Sequence, residues 1–376
     1  MKSRINSRYL PFAARARFAG GGAELRHRRL RRNGVGRFFP GQRSAGLGLR
    51  QGGAERDRPQ AGPALTRKPR NTDADRIRIG ISGWNYAPWR GRFYPDGLRQ
   101  RDELRFAAAS FRTIEINGTF YSLQHPKSFR AWAAAAPEGF RFAVKGPRFI
   151  THMLKLKNVE TPLANFCANG LLALGPKLGP LLWQFPPNFG FDPEKLETFF
   201  RLLPRDTMAA ARLARRHDHR VAGRTFFDVD RKRPLRHAIE VRHDSFRVPA
   251  FIALLRKHRI ALVCADTVEW PLMLDVTADF VYCRLHGSRQ LYASGYGAAA
   301  LRRWAALALA WARGSDPRAA LPRRAEHVNP KGPRRRGRRD VFVYLDNDAK
   351  VRAPVDARRL ARLVQEMAPE GGAGQD

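Results

Sequence analysis

The stretch HAIEVRHDSF, residues 237–246, begins as a buried strand and ends in charge. Ala238, Ile239 and Val241 have the apolar, β-branched character of a sheet interior, yet Glu240, Arg242, His243 and Asp244 crowd into five residues. Successive side chains in a strand point to opposite faces. Ile239 and Val241 therefore face one way, and Glu240 and Arg242 the other. If the strand belongs to a closed parallel barrel, the first pair meets the surrounding helices. The second pair then lies at the carboxyl end, where such barrels place their sites.

Seven other segments carry strand signals: residues 77–84, 113–120, 140–145, 179–185, 261–267, 280–287 and 341–348. Helical patterns fall between most of them. RDELRFAAASF precedes the second strand and SFRAWAAAA the third; PEKLETFFRLL follows the fourth. PAFIALLRKH separates the fifth and sixth, AALRRWAALALAWARG the seventh and eighth, and VDARRLARLVQEM closes the series. Strands alternating with helices imply parallel pairing. Eight such units in about 300 residues predict an α/β chain with a single (β/α)8 TIM-type barrel over residues 76–368. An open doubly wound sheet is the alternative, but no GxGxxG follows the first strand. The interval 186–236 predicts an insertion or elaborated crossover, and 314–339 a solvated basic loop insertion.

The net charge of +37 is unevenly placed. Residues 1–75 carry 18 Lys and Arg against 5 acids, and 313–339 carry 10 against 2. With no sustained period of 2 or 3.6, residues 1–75 read as a disordered, Arg-rich extension, and 369–376 as a flexible tail. A positive field favours polyanions, so nucleic acid is a candidate partner through this extension. Arg nevertheless outnumbers Lys 58 to 12, the skew a GC-rich coding sequence produces. A targeting peptide, a dispensable extension or a misassigned start are the other readings, the last two favoured. The three cysteines, Cys167, Cys264 and Cys283, form no CxxC pair, which fits a reducing, cytoplasmic setting. No run of about 18 apolar residues exists, so no membrane span is expected. Oligomeric state is not legible.

Applying the two-residue period to each strand end gives Ser82 and Trp84, Glu115 and Asn117, Lys145, Gln184, Glu240 and Arg242, Asp266, Arg284 and His286, and Tyr344 and Asp346. Every strand thus ends in a polar inward group. Burying an unpaired ion costs several kcal/mol, so such a ring must be mutually paired or open onto a ligand. A ring that merely plugs one barrel end is the structural alternative. An enzyme of hydrolase or isomerase type, acting on a small polar, phosphorylated or sugar-like substrate, is the favoured reading. Glu115, Glu240, His286 and Asp346 are then the catalytic candidates. Asn117, Lys145, Gln184, Arg242, His243, Arg284, Tyr344 and Asn347 are the substrate-binding ones, with Lys145, Arg242 and Arg284 as anion holders. A nucleic-acid binding or processing protein and a non-catalytic scaffold are the alternatives.

Other features point to the same end. Gly287, Gly295 and Gly297, before a helix starting near Ala298, offer backbone amides for phosphate. Trp84, Tyr86, Trp89, Phe120 and Tyr121 offer an aromatic wall for a sugar or base. No cofactor is expected. A divalent ion on Glu115, Glu240, Asp266 and His286 is conceivable, but neighbouring Lys145, Arg242 and Arg284 would repel it. No GxSxG elbow is present, which argues against serine nucleophiles.

The segments GISGWNYAPWRGRFYP, TIEINGTFY, FRFAVKGPRFITH, LLWQFPP, HAIEVRHDSF, YCRLHG and VYLDNDAKVRAP, in this order, resemble the YecE-like family of bacterial proteins, a domain of unknown function numbered seventy-two. The resemblance covers roughly residues 76–368. It implies a (β/α)8 barrel and names no reaction. The matched positions are Glu115, Asn117, Lys145, Glu240, Arg242, His243, Arg284, His286, Asp346 and Asn347.

Overall fold

The computed structural model describes residues 73–287, 291–315, 325–329 and 337–368. Eight strands close a fully parallel barrel: β1 Ile77–Ser82, β2 Thr113–Ile116, β3 Arg141–Lys145, β4 Leu178–Gln184, β5 His237–Glu240, β6 Ala261–Asp266, β7 Phe280–Leu285 and β8 Asp340–Leu345. Each pairs with its neighbours in chain order, and β8 returns to β1. The expected TIM-type barrel is therefore the fold. The strands mostly end sooner than their sequence patterns suggested, because the last polar residues already turn into the loops of the mouth.

Helices cover the barrel: α1 Glu103–Ser110, α2 Pro126–Ala135, α3 Glu160–Ala168, α4 Pro193–Leu202, α5 Thr207–Ala214, α6 Pro249–Lys257, α7 Ala298–Ala312 and α8 Arg352–Met367. Their starts are written in the sequence. Asp192 caps α4 by accepting from the Lys195 amide at 3.0 Å, with Pro193 in the first turn. Asp206 caps α5 in the same way through the Ala209 amide at 2.8 Å. In α8, Ala353, Ala357, Leu360 and Val364 recur at helical spacing and are buried against the barrel. Helices α3 and α5 were not anticipated. Both are short, α5 is Ala-rich, and they pack together over a cluster containing Cys167, Ala168, Ala210 and Ala214.

The outer strand faces join the helices in one core that includes Ile79, Ile114, Val144, Trp183, Ile239, Val241, Cys283 and Val343. Inside the barrel lie Ala143, Leu182, Ala238, Ala261, Val263, Ala265, Phe280, Tyr282, Phe342 and Tyr344. Gly80 faces Thr113 and Tyr344 in register, and a Cβ there would collide with the Thr113 carbonyl. The glycine lets the Tyr344 hydroxyl reach across β1 to Thr113 Oγ1 at 2.8 Å.

Two sequence expectations change. Ala265, not Asp266, faces inward on β6, because Ala265 is in register with inward Arg284. Asp266 instead points to the helical layer and accepts from Trp304 Nε1 at 3.2 Å. The basic 314–339 segment is not wholly a solvated loop. Ala325–Glu326 pairs in parallel with Leu272–Met273, and Asp275 accepts from the amides of Val328 and Asn329. The readings made of residues 1–72 and 369–376 lie outside the described residues. Among the described residues no helix is long and apolar enough to cross a membrane.

Candidate functional site at the carboxyl end of the barrel

Arg284, inward on β7, is 1 % exposed and organises the mouth. Its Nε donates to Glu115 Oε2 at 3.1 Å and its Nη2 to Glu115 Oε1 at 2.9 Å. Nη1 donates to Glu240 Oε2 at 2.6 Å, and Nη2 also to Asp346 Oδ2 at 2.8 Å. The planar fork suits this role, since it can satisfy several carboxylates in one plane. The acids have further donors. Ser82 Oγ and the Tyr282 hydroxyl reach Glu115 at 3.1 and 2.6 Å. Arg242 Nε and Nη2 reach Glu240 Oε1 at 2.9 and 2.7 Å. Arg242 in turn lies 4.1 Å from the centre of the Trp270 ring, a contact that holds the guanidinium flat.

The electrostatics follow from these contacts. Burial pushes the Glu240 carboxyl up, but Arg284 and Arg242 together outweigh it and hold it well below the usual range. Burial opposes ionisation of Asp346 too, yet the Arg284 guanidinium outweighs it and the carboxyl comes down to about 2. Both are therefore anions at neutral pH. His286 is fully buried, and burial lowers its pKa, leaving a neutral ring. Its Nδ1 lies 2.9 Å from Asp346 Oδ2 without the alignment of a hydrogen bond. Neither ring nitrogen has a hydrogen-bond partner among the described residues.

Two groups titrate close to neutrality. Lys145, at the end of β3, is 8 % exposed, and its ammonium lies 4.3 Å from the centre of the Phe120 ring. Burial, followed by repulsion from Arg284, lowers it to about 8 despite the surrounding acids. Asp348, just beyond β8, moves the other way: burial and the negative charge of Asp346 raise it to about 7. Two carboxyls two residues apart are thus shifted in opposite directions, the pattern of acid–base pairs in active sites.

The structure gathers Glu115, Lys145, Gln184, Glu240, Arg242, Arg284, His286 and Asp346 at one level or rim. It does not gather four of the expected residues. Tyr344 sits deeper, its hydroxyl bonded to Thr113 and its ring 4.9 Å from Tyr282. Asn347 points outward, donating to Ser294 O and to Asp356 Oδ2. His243 caps the turn after β5 through Ser245 and is exposed. Asn117 heads a short turn at Gly118–Tyr121. The aromatic wall also divides. Trp89 is fully buried against Tyr86 and Phe93, and Trp84 meets Trp132 edge-on. Phe120 lies under Lys145, whereas Tyr121 is 53 % exposed.

Two described amides of the glycine-rich loop after β7 are engaged by protein. The Gly287 amide donates to the Tyr296 hydroxyl at 3.0 Å, and the Tyr296 amide to Asp356 at 3.0 Å. A carboxylate at this loop opposes phosphate binding there. The metal set considered from sequence is also broken up, since Asp266 faces the helices and Arg284 occupies Glu115 and Glu240. Among the described residues no group of three or more His, Cys, Asp or Glu is placed to hold a metal ion.

Sequence reasoning passed over four residues of the rim. His152 lies in a π-helical turn, Phe149–Met153, with Nε2 at 3.5 Å from Gln184 Nε2; burial and Lys145 lower it to about 4. Its signal was present in FITH, after the third strand. Asp348 stands in LDND. Trp270 and Tyr292 come from loops after β6 and β7. Tyr292 holds a positive φ of 60° and packs 5.4 Å from the His286 ring. A non-glycine residue there is a strained backbone of the kind found at functional sites.

A family described as a protein of unknown function, DUF72, matches residues 78–373. Protein YecE of Escherichia coli K12 is 28 % identical over 127 residues, 34 % of this chain and 43 % of that protein. Protein YunF of Bacillus subtilis is 29 % identical over 119 residues, 30 % of this chain and 41 % of its own. The chain thus spans less than half the length of these curated relatives. A DUF72 family protein from Thermotoga maritima superposes with a TM-score of 0.56 at 23 % identity, over 77 % of this chain and 99 % of that one. One from Enterococcus faecalis gives 0.52 at 16 %, over 77 % and 95 %. At these identities the likeness is one of fold.

Proposed function

The chain belongs to the DUF72 family of proteins of unknown function, and from that footing we propose that it is an enzyme acting at the barrel mouth. Its substrate is a small, polar, hydroxylated compound, and its chemistry is acid–base catalysis of hydrolase or isomerase type. One observation carries this reading: a fixed anionic floor lies beneath two rim groups, Lys145 and Asp348, poised near neutral pH. A structural plug needs only paired charges. It gains nothing from a buried ammonium left without an acid of its own, or from a carboxyl raised by its neighbour.

The roles follow from the contacts. Arg284 is committed to three carboxylates and holds the floor rather than a substrate anion. Lys145 takes the substrate oxygen that carries or develops negative charge. Asp348 in its protonated form is the acid, and Asp346, already ionised, is the base or charge stabiliser. Neutral His286 offers a ring nitrogen to a substrate hydroxyl. The aromatic faces of Trp270 and Tyr292 supply an apolar wall for a sugar-like ring.

The test is a thermal-shift panel of neutral sugars, polyols and sugar phosphates on the full chain, repeated on Lys145→Met and Asp348→Asn. A ligand that raises the Tm of the wild type and loses that effect in Lys145→Met is expected. Failure of every compound to shift the wild type, or equal shifts in both variants, would overturn the reading.

A further inference from the structure

We propose that Lys145 is a covalent catalyst: the mouth takes an aldehyde or ketone and holds it as a Schiff base on Lys145 Nζ. The inference rests on the mouth being the active site and names the functional group of its substrate.

The geometry sets this lysine apart from the others. Lys195 pairs with Asp192 at 2.6 Å, and Lys257 with Glu197 at 2.9 Å. Lys177 donates to the carbonyls of Ala133 and Ala136, both at 2.6 Å. Lys145 is 8 % exposed, yet among the described residues its ammonium makes no hydrogen bond and no ion pair, only the contact with the Phe120 ring. Three acids share the mouth, but both oxygens of Glu115 and Glu240, and Oδ2 of Asp346, are already turned to Arg284, Arg242, Ser82 and Tyr282. By register Lys145 lies two residues beyond inward Ala143, so the amine is aimed into the barrel mouth. An unpaired, largely desolvated amine at a strand end is the environment that activates lysine as a nucleophile. With its pKa lowered to about 8, on the order of a tenth is free amine at pH 7, far above an ordinary lysine.

The step balances without a further reagent. Neutral Nζ attacks the carbonyl carbon, a C–N bond forms, and the π electrons move to oxygen, which takes a proton from the Asp348 carboxyl. The Asp348 carboxylate then takes one proton from the nitrogen, which became cationic on attack, and returns it to that hydroxyl, which leaves as water. The nitrogen lone pair then forms the C=N bond. In sum, the free amine, the protonated Asp348 and one carbonyl compound give one protonated imine, one ionised Asp348 and one water, with charge conserved. The product cation stays in the field of Glu240 and Asp346, which are ionised and favour it. It is an electron sink for cleavage or proton transfer at the adjacent carbon.

Two measurements on the full chain test this. Formaldehyde with cyanoborohydride, the smallest carbonyl probe, methylates each lysine at a rate read by peptide mass spectrometry across pH. Lys145 is expected to react at pH 7 at least ten times faster than Lys195 or Lys257. Dihydroxyacetone phosphate, glyceraldehyde and pyruvate with borohydride are expected to leave at least one reduced adduct confined to the Lys145 peptide. That adduct should be absent without reductant and in Lys145→Arg. Reaction of Lys145 no faster than the surface lysines, or adducts spread over those lysines, overturns the proposal. If sugars or polyols bind through the mouth while Lys145 stays unmodified, the Schiff base fails and the site assignment stands. If nothing binds and nothing is trapped, both fail.

Discussion

Arg284 on β7 donates to Glu240 on β5 at 2.6 Å, reaching over β6, whose inward residues there are only Val263 and Ala265. The small side chains on the intervening strand make the bridge possible. Three carboxylates depend on one guanidinium, and removal of that partner leaves buried charge uncompensated. Arg284→Met is expected to destabilise the fold by about 3–5 kcal/mol or more, read from denaturant midpoints. Arg284→Lys should recover only part, since a single ammonium cannot match the fork. A loss under 1 kcal/mol would show that the carboxylates find other partners.

Lys145→Met is expected to be more stable than the wild type at pH 7, by about 1–3 kcal/mol. The ammonium is held in the fold at a pKa lowered from 10.5 to about 8, so its charge opposes folding below pH 8. That cost is relieved as pH rises from 8 to 10.5, because the unfolded chain then binds more protons. Wild-type stability attributable to this group should rise over that window, and the rise should vanish in Lys145→Met. Equal pH profiles would contradict the assignment.

Asp348→Asn tests the other rim group. Its folded pKa is raised from 3.8 to about 7, so its contribution is fully present below pH 4 and is lost as pH rises through 7. The wild type minus variant difference in unfolding free energy should decline over that interval. Carbonyl-adduct formation at Lys145 should slow several-fold in the variant at pH 6 and show a flattened pH profile. An unchanged profile would remove Asp348 from the proton path.

His237, which opens β5, faces outward and is fully buried. Trp183 Nε1 donates to its Nδ1 at 3.1 Å, and its Nε2 donates to Pro204 O at 2.8 Å. Burial lowers its pKa from 6.5 to about 4. The neutral ring therefore stabilises the fold above pH 6.5, and that stability is lost as pH falls towards 4, up to about 3 kcal/mol. Its pH slope should disappear in His237→Gln, measured by urea unfolding at pH 4, 5, 6 and 7. A slope retained in the variant would assign acid sensitivity elsewhere.

The barrel was legible because its strands repeat a local pattern. HAIEVRHDSF shows both faces of β5 within a few residues: Ile239 and Val241 join the outer core, and Glu240 and Arg242 meet at the mouth. The same rule failed on β6, where Ala265 rather than Asp266 holds the inward phase. Asn347, a position that only the family resemblance had singled out, follows inward Asp346 on β8 and so turns to Asp356.

By itself the sequence determined the parallel barrel, the phase of most strands and the gathering of charge at one end, because a two-residue alternation and a 3.6-residue stripe are short-range properties of the chain. Only the tertiary structure decided which charges are tied and which are free. Arg284 and Glu115 are 169 residues apart and meet across the barrel. Lys145 keeps its amine unpaired because acids from other strands have already been claimed. Coulomb and desolvation energies depend on distance and burial, not on position along the chain. The chemical difference between Lys145 and any other lysine, or between Asp346 and Asp348, therefore exists only once the barrel is closed.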